Sequence, residues 1–502
     1  MLKDLVKNLK PSSTLLINEK SRKLEEQGKK IFKFGFGQSP FKVPEDVVEE
    51  LKKNAHQNKY LPMQGLSELR DAVAKYTSTK KNYDYKSENV IIGPGSKELM
   101  FLLNVIFDGE IILPAPSWVS YAPQAILGRN KIQILQTKRE NNWFPTAAEI
   151  EEFILKDKSK NYLLFLNSPN NPSGQICENL EEISIIAKKY NLIILSDEIY
   201  SELSFKENYQ SISNFCPDKT IVSTGLSKWC GAGGWRLGYF LVPDSLIEIK
   251  NMINVLASET FSAVSAPIQY AAIKAYKNDH SHYINKSRNI LSAVGNYVYE
   301  NLKSNKVLIN RPQGGFYLMP EFLNKKFNSS SEMCNSILNE TGVALLPGTD
   351  FGFDQTQMLA RLSFTDFKGQ EFMNKIVDNQ KEVMRLKNEL ANAVKEITAV
   401  GGENPEAMAI MQRHLNKIKD FSTITTPVEA VVFDYNGHTY KFAGNFAPLN
   451  QILGMFRYGN LKRSTQESLI VSKPIITEKE SNIKSDRARK FVLSLPKFAP
   501  SE

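Results

Sequence analysis

Cysteine is scarce in this sequence, and long apolar runs and blocks of like charge are missing from it. The four cysteines lie at scattered positions with no CxxC pair. Neither a disulfide framework nor a metal site is therefore indicated, and free thiols in a reducing cytosol are expected. Because no stretch of about 18 apolar residues occurs, we expect no membrane-spanning helix. The first residues lack the apolar core and cleavage pattern of a secretory signal. The net charge of +9 is spread along the chain, which argues against nucleic acid or a membrane surface as a partner.

The length of 502 residues predicts two or more domains. From about residue 15 to about residue 365, short apolar segments alternate with amphipathic helical patterns. The predicted strands are 89–92, 110–113, 161–167, 191–196, 220–224 and 238–241, and the predicted helices include 44–58, 65–79, 96–107 and 180–190. This alternation is typical of an α/β fold with a parallel sheet covered by helices on both faces. Ligands bind such sheets beyond the carboxyl ends of the strands.

The pattern changes twice toward the end of the chain. From about residue 275, a helical segment at 283–302 and strand-like segments at 314–319, 343–345 and 360–364 predict a smaller α+β unit. Beyond about residue 385, the segment 388–418 is helical in pattern, with Gly401 and Gly402 interrupting it. The segment 428–446 alternates around Asn436 and Gly437, which predicts a hairpin. The polar segment 451–502 is expected to be loosely ordered.

The run TGLSKWCGAGGWRLG at 224–238 carries the main functional signal. Lys228 follows a predicted strand, where partial burial would free its amine to form a Schiff base. Arg236 lies among glycines, which let the backbone approach a ligand closely. Its guanidinium can bind a phosphate through two parallel hydrogen bonds. The run resembles the pyridoxal-phosphate site of class I/II aminotransferases, the aspartate-aminotransferase-like family of fold type I. The resemblance implies that Lys228 forms the Schiff base and that Arg236 binds the cofactor phosphate.

The predicted strand before this run ends at Asp197. A buried carboxylate there needs a positive partner, although a helix N-cap after a strand is the ordinary alternative. The resemblance implies that Asp197 pairs with the protonated ring nitrogen of pyridoxal phosphate, so that the ring can absorb electrons. It also implies that Tyr200 hydrogen-bonds the cofactor's 3-oxygen.

Two further turns follow predicted strands. The run NSPNNPSG at 167–174 is a turn by composition, and the resemblance implies that Asn171 holds the 3-oxygen and orients the substrate carboxylate. In IGPGSKEL at 92–99, a helix begins after a strand, and its free amides favour anions. Ordinary capping explains that pattern equally well. The resemblance implies that Gly95, Ser96 and Lys97 cradle the phosphate.

Two aromatic residues have a structural and a functional interpretation. Trp118 follows the next strand and is ordinarily a core residue, whereas the resemblance implies an aromatic ring stacked on the cofactor. Tyr60 could pack in its own core, whereas the resemblance implies that it reaches the phosphate of a neighbouring subunit. The second interpretation of Tyr60 predicts a homodimer with a shared active site.

Substrate recognition is expected from two segments far apart in sequence. In ARLSF at 360–364, Arg361 interrupts an apolar strand and needs a partner when buried. The resemblance implies that it binds the substrate α-carboxylate, that Gly37 in GFGQSPF at 35–41 contacts the same group, and that LPGTDFG at 346–352 belongs to the same site.

The resemblance covers residues 10 to 385 and implies a domain division. Residues 1–45 would form an N-terminal arm of the small domain, 46–275 the large pyridoxal-phosphate domain, 276–385 the small domain and 386–502 an appended segment. One departure from the family is Gly225, which stands where many members have a serine that donates to the phosphate. Ser223 or Ser227 is a candidate substitute.

The expected function is an aminotransferase that passes amino groups from an amino acid to a 2-oxo acid, with Lys228 moving the proton at the substrate α-carbon. A carbon–sulfur β-lyase of the same fold is the alternative, because one fold and cofactor serve several reactions. A non-catalytic pyridoxal-phosphate-binding regulator is the other. The sequence does not identify the amino donor.

Overall fold

The computed structural model describes residues 2–7, 9, 11–81, 83–323 and 326–374, together with the strands Val431–Tyr435 and His438–Phe442. The described residues fall into two units, one that holds those up to Gln370 and one that begins at Glu371. The two late strands belong to the second unit and pair antiparallel, as the predicted hairpin requires. The predicted helix at 388–418, with Gly401 and Gly402, and the polar segment 451–502 lie outside the described residues.

The first unit contains helices and strands in alternation. Its helices are α1 Asp4–Lys7, α2 Ser13–Glu26, α3 Glu45–Asn54, α4 Ser67–Ser78, α5 Ser96–Ile106, α6 Tyr121–Leu127, α7 Ala147–Leu155, α8 Leu180–Lys189, α9 Ile247–Glu259, α10 Ala266–Lys277, α11 Ser281–Leu302 and α12 Ser330–Thr341. Its strands are β1 Phe32–Lys33, β2 Val90–Gly93, β3 Glu110–Ala115, β4 Lys131–Gln136, β5 Tyr162–Asn167, β6 Ile193–Asp197, β7 Thr220–Gly225, β8 Gly238–Leu241, β9 Val307–Leu308, β10 Tyr317–Leu318, β11 Glu321–Phe322, β12 Val343–Ala344, β13 Leu346–Pro347 and β14 Ala360–Ser363. None of the helices in the described ranges has both the length and the apolar character that crossing a bilayer requires.

A seven-stranded sheet forms the centre of the unit, in the order β2-β8-β7-β6-β5-β3-β4. The neighbours from β4 through β7 are parallel, which confirms the mostly parallel sheet. The segment 238–241 is a strand, as predicted, but it runs antiparallel to both of its neighbours. The chain returns from β7 through residues 226–237 without the helical crossover that a parallel neighbour needs. Strand β4 was not predicted, because it is a half-exposed edge strand with no buried residue.

Side chains of the strands alternate between two apolar layers. On one face, Ile111 and Leu113 pack with α5, α6 and α9. On the other face, Ile112 packs with α7 and α8. Each fully buried aliphatic side chain contributes about 1.5–3 kcal/mol, so both layers stabilise the sheet, and the predicted three-layer α/β architecture is confirmed.

Shorter strands place the segments that follow and precede the sheet. Strands β10, β14 and β13 form an antiparallel sheet, and β1 pairs parallel with β12. Residues near positions 35 and 361 are thereby brought together, because the amide of Ser363 donates to the carbonyl of Phe34 (2.7 Å). The division into domains at residues 45, 275 and 385 stays a prediction.

Candidate active site

Three polar residues lie side by side where the parallel strands end. In the sheet register, Asn167 of β5 is opposite Asp197 of β6, which is opposite Ser223 of β7. Asn167 donates to the carbonyl of Asp197 (2.8 Å) and accepts from the amide of Asn171 (2.7 Å). The turn at 167–174 is therefore anchored to the strand that carries Asp197, at the edge where the sequence predicted the site.

Lys228 lies three residues beyond the end of β7. Its Nζ donates to the carbonyl of Gly37 (3.0 Å) and lies over the rings of Tyr200 and Phe316, 5.6 and 5.5 Å from their centroids. Burial first, and the nearby positive charge of Arg361 second, lower the pKa of the Lys228 amine to about 8. At pH 7, about a tenth of this amine is therefore uncharged, and that fraction is able to act as a nucleophile or a base.

Asp197 is a buried carboxylate with few protein partners. Its Oδ2 accepts a hydrogen bond from the Tyr121 hydroxyl (2.6 Å), and its Oδ1 accepts one from the amide of Ile199 (3.3 Å). Burial raises the pKa of Asp197 to about 6, and the bond from Tyr121 opposes that shift. The next helical turn, Ser201–Leu203, has Tyr200 at its N-cap. Asp197 is therefore not a helix cap, and the alternative interpretation of this residue is wrong.

A second buried acid, Glu198, fixes the chain next to Asp197. Its Oε2 accepts from Lys81 Nζ (2.6 Å) in an ion pair with both side chains less than a tenth exposed, and its Oε1 accepts from Ser196 (3.0 Å). The amide of Glu198 donates to the carbonyl of Ser223 (2.8 Å). The strand end that presents Asp197 is thus held by side-chain and backbone bonds.

Arg361 lies fully buried on β14 and is not neutralised by an acid within the described residues. Its Nη1 donates to Asn171 Oδ1 (3.0 Å) and its Nη2 donates to the carbonyl of Gly35 (2.6 Å), while Nε has no partner. Burial lowers the pKa of the guanidinium. A guanidinium has five N–H groups, so an incoming carboxylate would find free donors here.

The N-terminus of helix α5 lies beside the guanidinium of Arg236. Gly95 is the N-cap of α5 and has a φ of +86°. A Cβ on Gly95 would lie 2.3 Å from Arg236 Nη2, and a Cβ on Gly238 would lie 2.2 Å from the amide nitrogen of Ser96. The first amides of a helix have no intrahelical acceptor, so the amides of Ser96 and Lys97 are available to a ligand. Glycine at positions 95 and 238 leaves room for the guanidinium and the helix terminus to meet.

The two aromatic residues differ in exposure. Trp118 is partly buried; its ring makes an edge contact with Tyr121 (5.4 Å between centroids), and Lys97 Nζ lies 5.3 Å from its centroid. Tyr60 is 95% exposed. The alternative that Tyr60 packs in its own core is therefore wrong, whereas its proposed role at a neighbouring subunit stays a prediction.

Gly225, the departure from the family pattern, has a packing explanation. A Cβ at this position would lie 2.7 Å from both the Cα of Gly238 and the carbonyl oxygen of Leu237. A serine there would collide with the backbone of β8. Of the two candidate substitutes, Ser223 has a buried hydroxyl that bonds to none of the described residues, whereas Ser227 is partly exposed.

Sequence reasoning missed Tyr121 and Tyr317, which contact the predicted residues directly. The Tyr317 hydroxyl shares a hydrogen bond with that of Tyr200 (3.0 Å between oxygens). Tyr121 stands three residues after Trp118, so the segment was recognised but not this residue. Tyr317 is 117 positions from Tyr200, and no local pattern predicts that contact.

Comparison with known proteins identifies the family. The sequence model described as aminotransferase class I and II matches residues 29–376. The chain is 32% identical over 372 residues to an aspartate aminotransferase of Bacillus sp. (strain YM-2), covering 71% of this chain and 93% of that protein. It is 31% identical over 351 residues to an aspartate aminotransferase of Thermotoga maritima, covering 68% and 89%. The solved structure of an aspartate aminotransferase from Thermus thermophilus with maleate has a TM-score of 0.68 and 26% identity, over 74% of this chain and 98% of that chain.

The mostly parallel sheet, with Lys228 and the N-terminus of α5 following strands at its carboxyl edge, belongs to the aspartate aminotransferase fold. The chain is a member of the class I and II aminotransferase family. It is a pyridoxal-phosphate-dependent transaminase that exchanges amino groups between amino acids and 2-oxo acids. The first of the expected functions is thereby confirmed.

Proposed function

We propose that Lys228 is the residue that holds pyridoxal phosphate and moves the proton during transamination, with aspartate as the amino donor. The supporting observation is that a lysine of lowered pKa, a buried carboxylate and a buried guanidinium without an acidic partner converge on one edge of the sheet. Such groups with perturbed pKa values are typical of catalytic sites.

The residues present fit the cofactor. Its phosphate suits the N-terminus of α5 beside Arg236, where two glycines leave space and no acid of the described residues pairs with that guanidinium. Its protonated ring nitrogen suits Asp197, a carboxylate whose pKa is raised by burial and which hydrogen-bonds to no cation of the described residues. Trp118 is the proposed ring that covers one face of the cofactor.

Pyridoxal phosphate, when bound, supplies an aldehyde that condenses with amines and a ring that accepts electrons from the substrate α-carbon. Asp197 remains ionised beside the ring nitrogen and keeps that nitrogen protonated. Tyr200, whose pKa is raised by burial, keeps its proton and donates to the 3-oxygen, and Asn171 assists there.

The substrate is held by groups from the other side of the site. Arg361 forks onto the α-carboxylate, and Asn171 fixes the guanidinium through its side-chain oxygen. Gly37 contributes backbone beside the same carboxylate, and its carbonyl already accepts from Lys228 Nζ. With the substrate so oriented, Lys228 Nζ would take the proton from the α-carbon and deliver it to the C4′ carbon of the cofactor, since a pKa of about 8 lets the amine both accept and release a proton near neutral pH.

The proposed domain division places these groups on two bodies. Lys228, Asp197 and Arg236 belong to the large domain at 46–275, whereas Gly37 and Arg361 belong to the arm at 1–45 and the small domain at 276–385. Substrate would thus bind where the two domains meet. The appended segment at 386–502 has no proposed role.

We also propose a homodimer in which Tyr60 reaches the phosphate of the neighbouring subunit, since an exposed fraction of 95% leaves its side chain free for such a contact. Mixing Lys228→Ala with Tyr60→Ala protomers tests this proposal. A shared site restores one intact centre in each mixed dimer, and activity returns on mixing. Activity that stays absent, or a monomer by light scattering, would overturn it.

The role of Lys228 is tested by replacing it with alanine and with arginine. Both variants should lose the visible absorbance of the bound cofactor and nearly all turnover, because neither side chain can form the bond to the cofactor. Lys250→Ala is the matched control, as its Nζ donates to the carbonyl of Glu88 and takes no part in the site. Wild-type activity in Lys228→Arg would overturn the assignment.

The donor is proposed from the names of the relatives, which are aspartate aminotransferases. Turnover with 2-oxoglutarate should be fastest for aspartate in a panel that also holds asparagine, alanine and phenylalanine. A faster rate with alanine or phenylalanine would overturn this part. Release of pyruvate and ammonia from a single amino acid, without a 2-oxo acid, would indicate lyase chemistry instead.

A further inference from the structure

We infer that Tyr317 is a positioning residue that links the cofactor side of the site to the substrate side. The inference rests on the proposed function, in which Tyr200 binds the cofactor's 3-oxygen and Arg361 binds the substrate carboxylate. Tyr317 is 2% exposed and contacts both residues.

The hydroxyl of Tyr317 acts on the cofactor side. Its oxygen lies 3.0 Å from the hydroxyl oxygen of Tyr200, and the two rings meet edge to face with centroids 5.7 Å apart. Either hydroxyl can donate in the absence of a ligand, but when Tyr200 donates to the 3-oxygen, as proposed, it accepts the bond from Tyr317. A hydroxyl that accepts one hydrogen bond becomes a stronger donor of the next. Tyr317 therefore strengthens the donation of Tyr200 to its ligand and limits the rotation of the Tyr200 hydroxyl.

The ring of Tyr317 acts on the substrate side. The guanidinium carbon of Arg361 lies 4.8 Å from the Tyr317 centroid and 5.3 Å from that of Phe351. A cation over an aromatic face is stabilised most where water is excluded. The ring thus holds a buried guanidinium whose Nε bonds to nothing in the part of the chain that the structure describes.

The backbone around Tyr317 leaves its side chain little freedom. Tyr317 is opposite Ser363 in the pairing of β10 with β14, two residues from Arg361. A Cβ on Gly37 would lie 1.9 Å from the Tyr317 hydroxyl oxygen, and a Cβ on Gly174 would lie 2.2 Å from its carbonyl oxygen. Two segments of the site, at 35–41 and 167–174, are therefore shaped around this residue.

The two contacts of Tyr317 use different parts of one side chain, so two variants separate them. Tyr317→Phe keeps the ring and removes the hydroxyl, whereas Tyr317→Leu removes both. Tyr162→Phe is the matched control, because the hydroxyl of Tyr162 donates to the carbonyl of Asp157 at the amino end of β5 (2.9 Å).

Two measurements without turnover distinguish the contacts. The first is the pH midpoint of the absorbance of the enzyme-bound cofactor, and the second is the dissociation constant of maleate, read from the change in that absorbance. A donor to the 3-oxygen lowers the pH at which the lysine-bound cofactor loses its proton. Both Tyr317 variants should therefore raise the midpoint, by about half a unit for one weakened hydrogen bond. Tyr317→Phe should bind maleate within about twofold of wild type, and Tyr317→Leu about tenfold more weakly.

The pattern decides the inference. A raised midpoint with retained maleate binding in Tyr317→Phe, and loss of both properties in Tyr317→Leu, supports it. An unchanged midpoint in Tyr317→Phe overturns it, even if Tyr317→Leu does not fold. Equal weakening of maleate binding in both variants overturns the assignment of the ring. If the wild type itself gives no visible cofactor absorbance and no transamination, the proposed function fails instead, and the two failures are thereby distinguished.

Discussion

Replacing Tyr121 by phenylalanine removes a single hydroxyl from beneath the proposed cofactor site. That hydroxyl donates to Asp197 Oδ2 over 2.6 Å, and Tyr121 is 2% exposed. The ring contacts Trp118 and Phe165, with centroids 5.4 and 4.9 Å away. Phenylalanine can keep both ring contacts, so the change acts on the carboxylate rather than on packing.

The size of the effect follows from the charge of the acceptor. A hydrogen bond to a charged group is worth about 1.5–3 kcal/mol, and one pKa unit corresponds to about 1.4 kcal/mol. Loss of the bond should therefore raise the pKa of Asp197 from about 6 by about one to two units. The sign is upward, because the bond stabilises only the ionised form. The variant would hold a largely protonated Asp197 at neutral pH.

The assay is the affinity of the cofactor-free protein for pyridoxal phosphate as a function of pH. Only the ionised carboxylate pairs with the ring cation, so wild-type affinity should fall as the pH drops through about 6. In Tyr121→Phe, the fall should begin about one to two pH units higher. The phosphate titrates equally in both proteins, and burial and Arg361 have larger effects than Asp197 on the pKa of Lys228, so the difference between the two curves reports mainly on Asp197. The control variant Tyr162→Phe should follow the wild type, because the Tyr162 hydroxyl donates to the carbonyl of Asp157 and to no residue of the site.

Two results would refute this reasoning. If the affinity for pyridoxal phosphate fell over the same acidic pH range in wild type and Tyr121→Phe, the hydroxyl would not stabilise the ionised carboxylate. A uniform loss of affinity at every pH, with no shift in the pH at which the affinity falls, would mean that the substitution had changed the shape of the site instead.

Three further predictions follow from single distances or pKa values. Gly225→Ser, which restores the common family residue, should lower the unfolding free energy by about 1–3 kcal/mol in thermal denaturation, since its Cβ would lie 2.7 Å from the Cα of Gly238. A higher Tm with tighter cofactor binding would contradict this. Arg361→Lys, which loses the fork held by Asn171, should raise KM for the amino donor by about tenfold or more with a smaller effect on kcat in steady-state kinetics; an unchanged KM would refute it. Burial lowers the pKa of Lys228 to about 8, so the amine becomes protonated as the pH drops below 8. The rate at which added pyridoxal phosphate develops visible absorbance should therefore fall below pH 8. A rate independent of pH from 6 to 9 would oppose the assignment of Lys228 as the residue that binds the cofactor.

The sequence predicted those parts of the fold that depend on local pattern. Buried strands such as β5 and β6 are continuous apolar runs bounded by polar turns, and both lie within two residues of the predicted bounds. Strand β4 escaped prediction because edge strands need not be apolar. The direction of β8 was also not predicted, because it depends on how the loop at 226–237 crosses the sheet edge rather than on the residues of the strand.

The residues of the site also divide into those that local pattern predicts and those that it does not. Lys228, Asp197 and Arg361 each stand in a recognisable motif at a strand or turn, so their positions could be predicted one by one. Their partners could not. Tyr121 contacts Asp197 from 76 residues away and Tyr317 contacts Arg361 from 44 residues away, whereas Lys81 supports Asp197 only through Glu198, 117 residues from it in sequence. Specificity of contact between distant segments arises from the fold, and no local spacing encodes it.

The charges of the site explain which molecules it selects. Burial is the largest cause of the lowered pKa of Lys228 and Arg361 and of the raised pKa of Asp197. In each case the cost of burying the charged form exceeds the attraction of the opposite charges nearby. A ring cation would relieve Asp197, and an α-carboxylate would relieve Arg361. If Arg361 binds the α-carboxylate as proposed, a simple amine would leave the guanidinium buried without an anion, and the site would favour amino acids over amines through electrostatics.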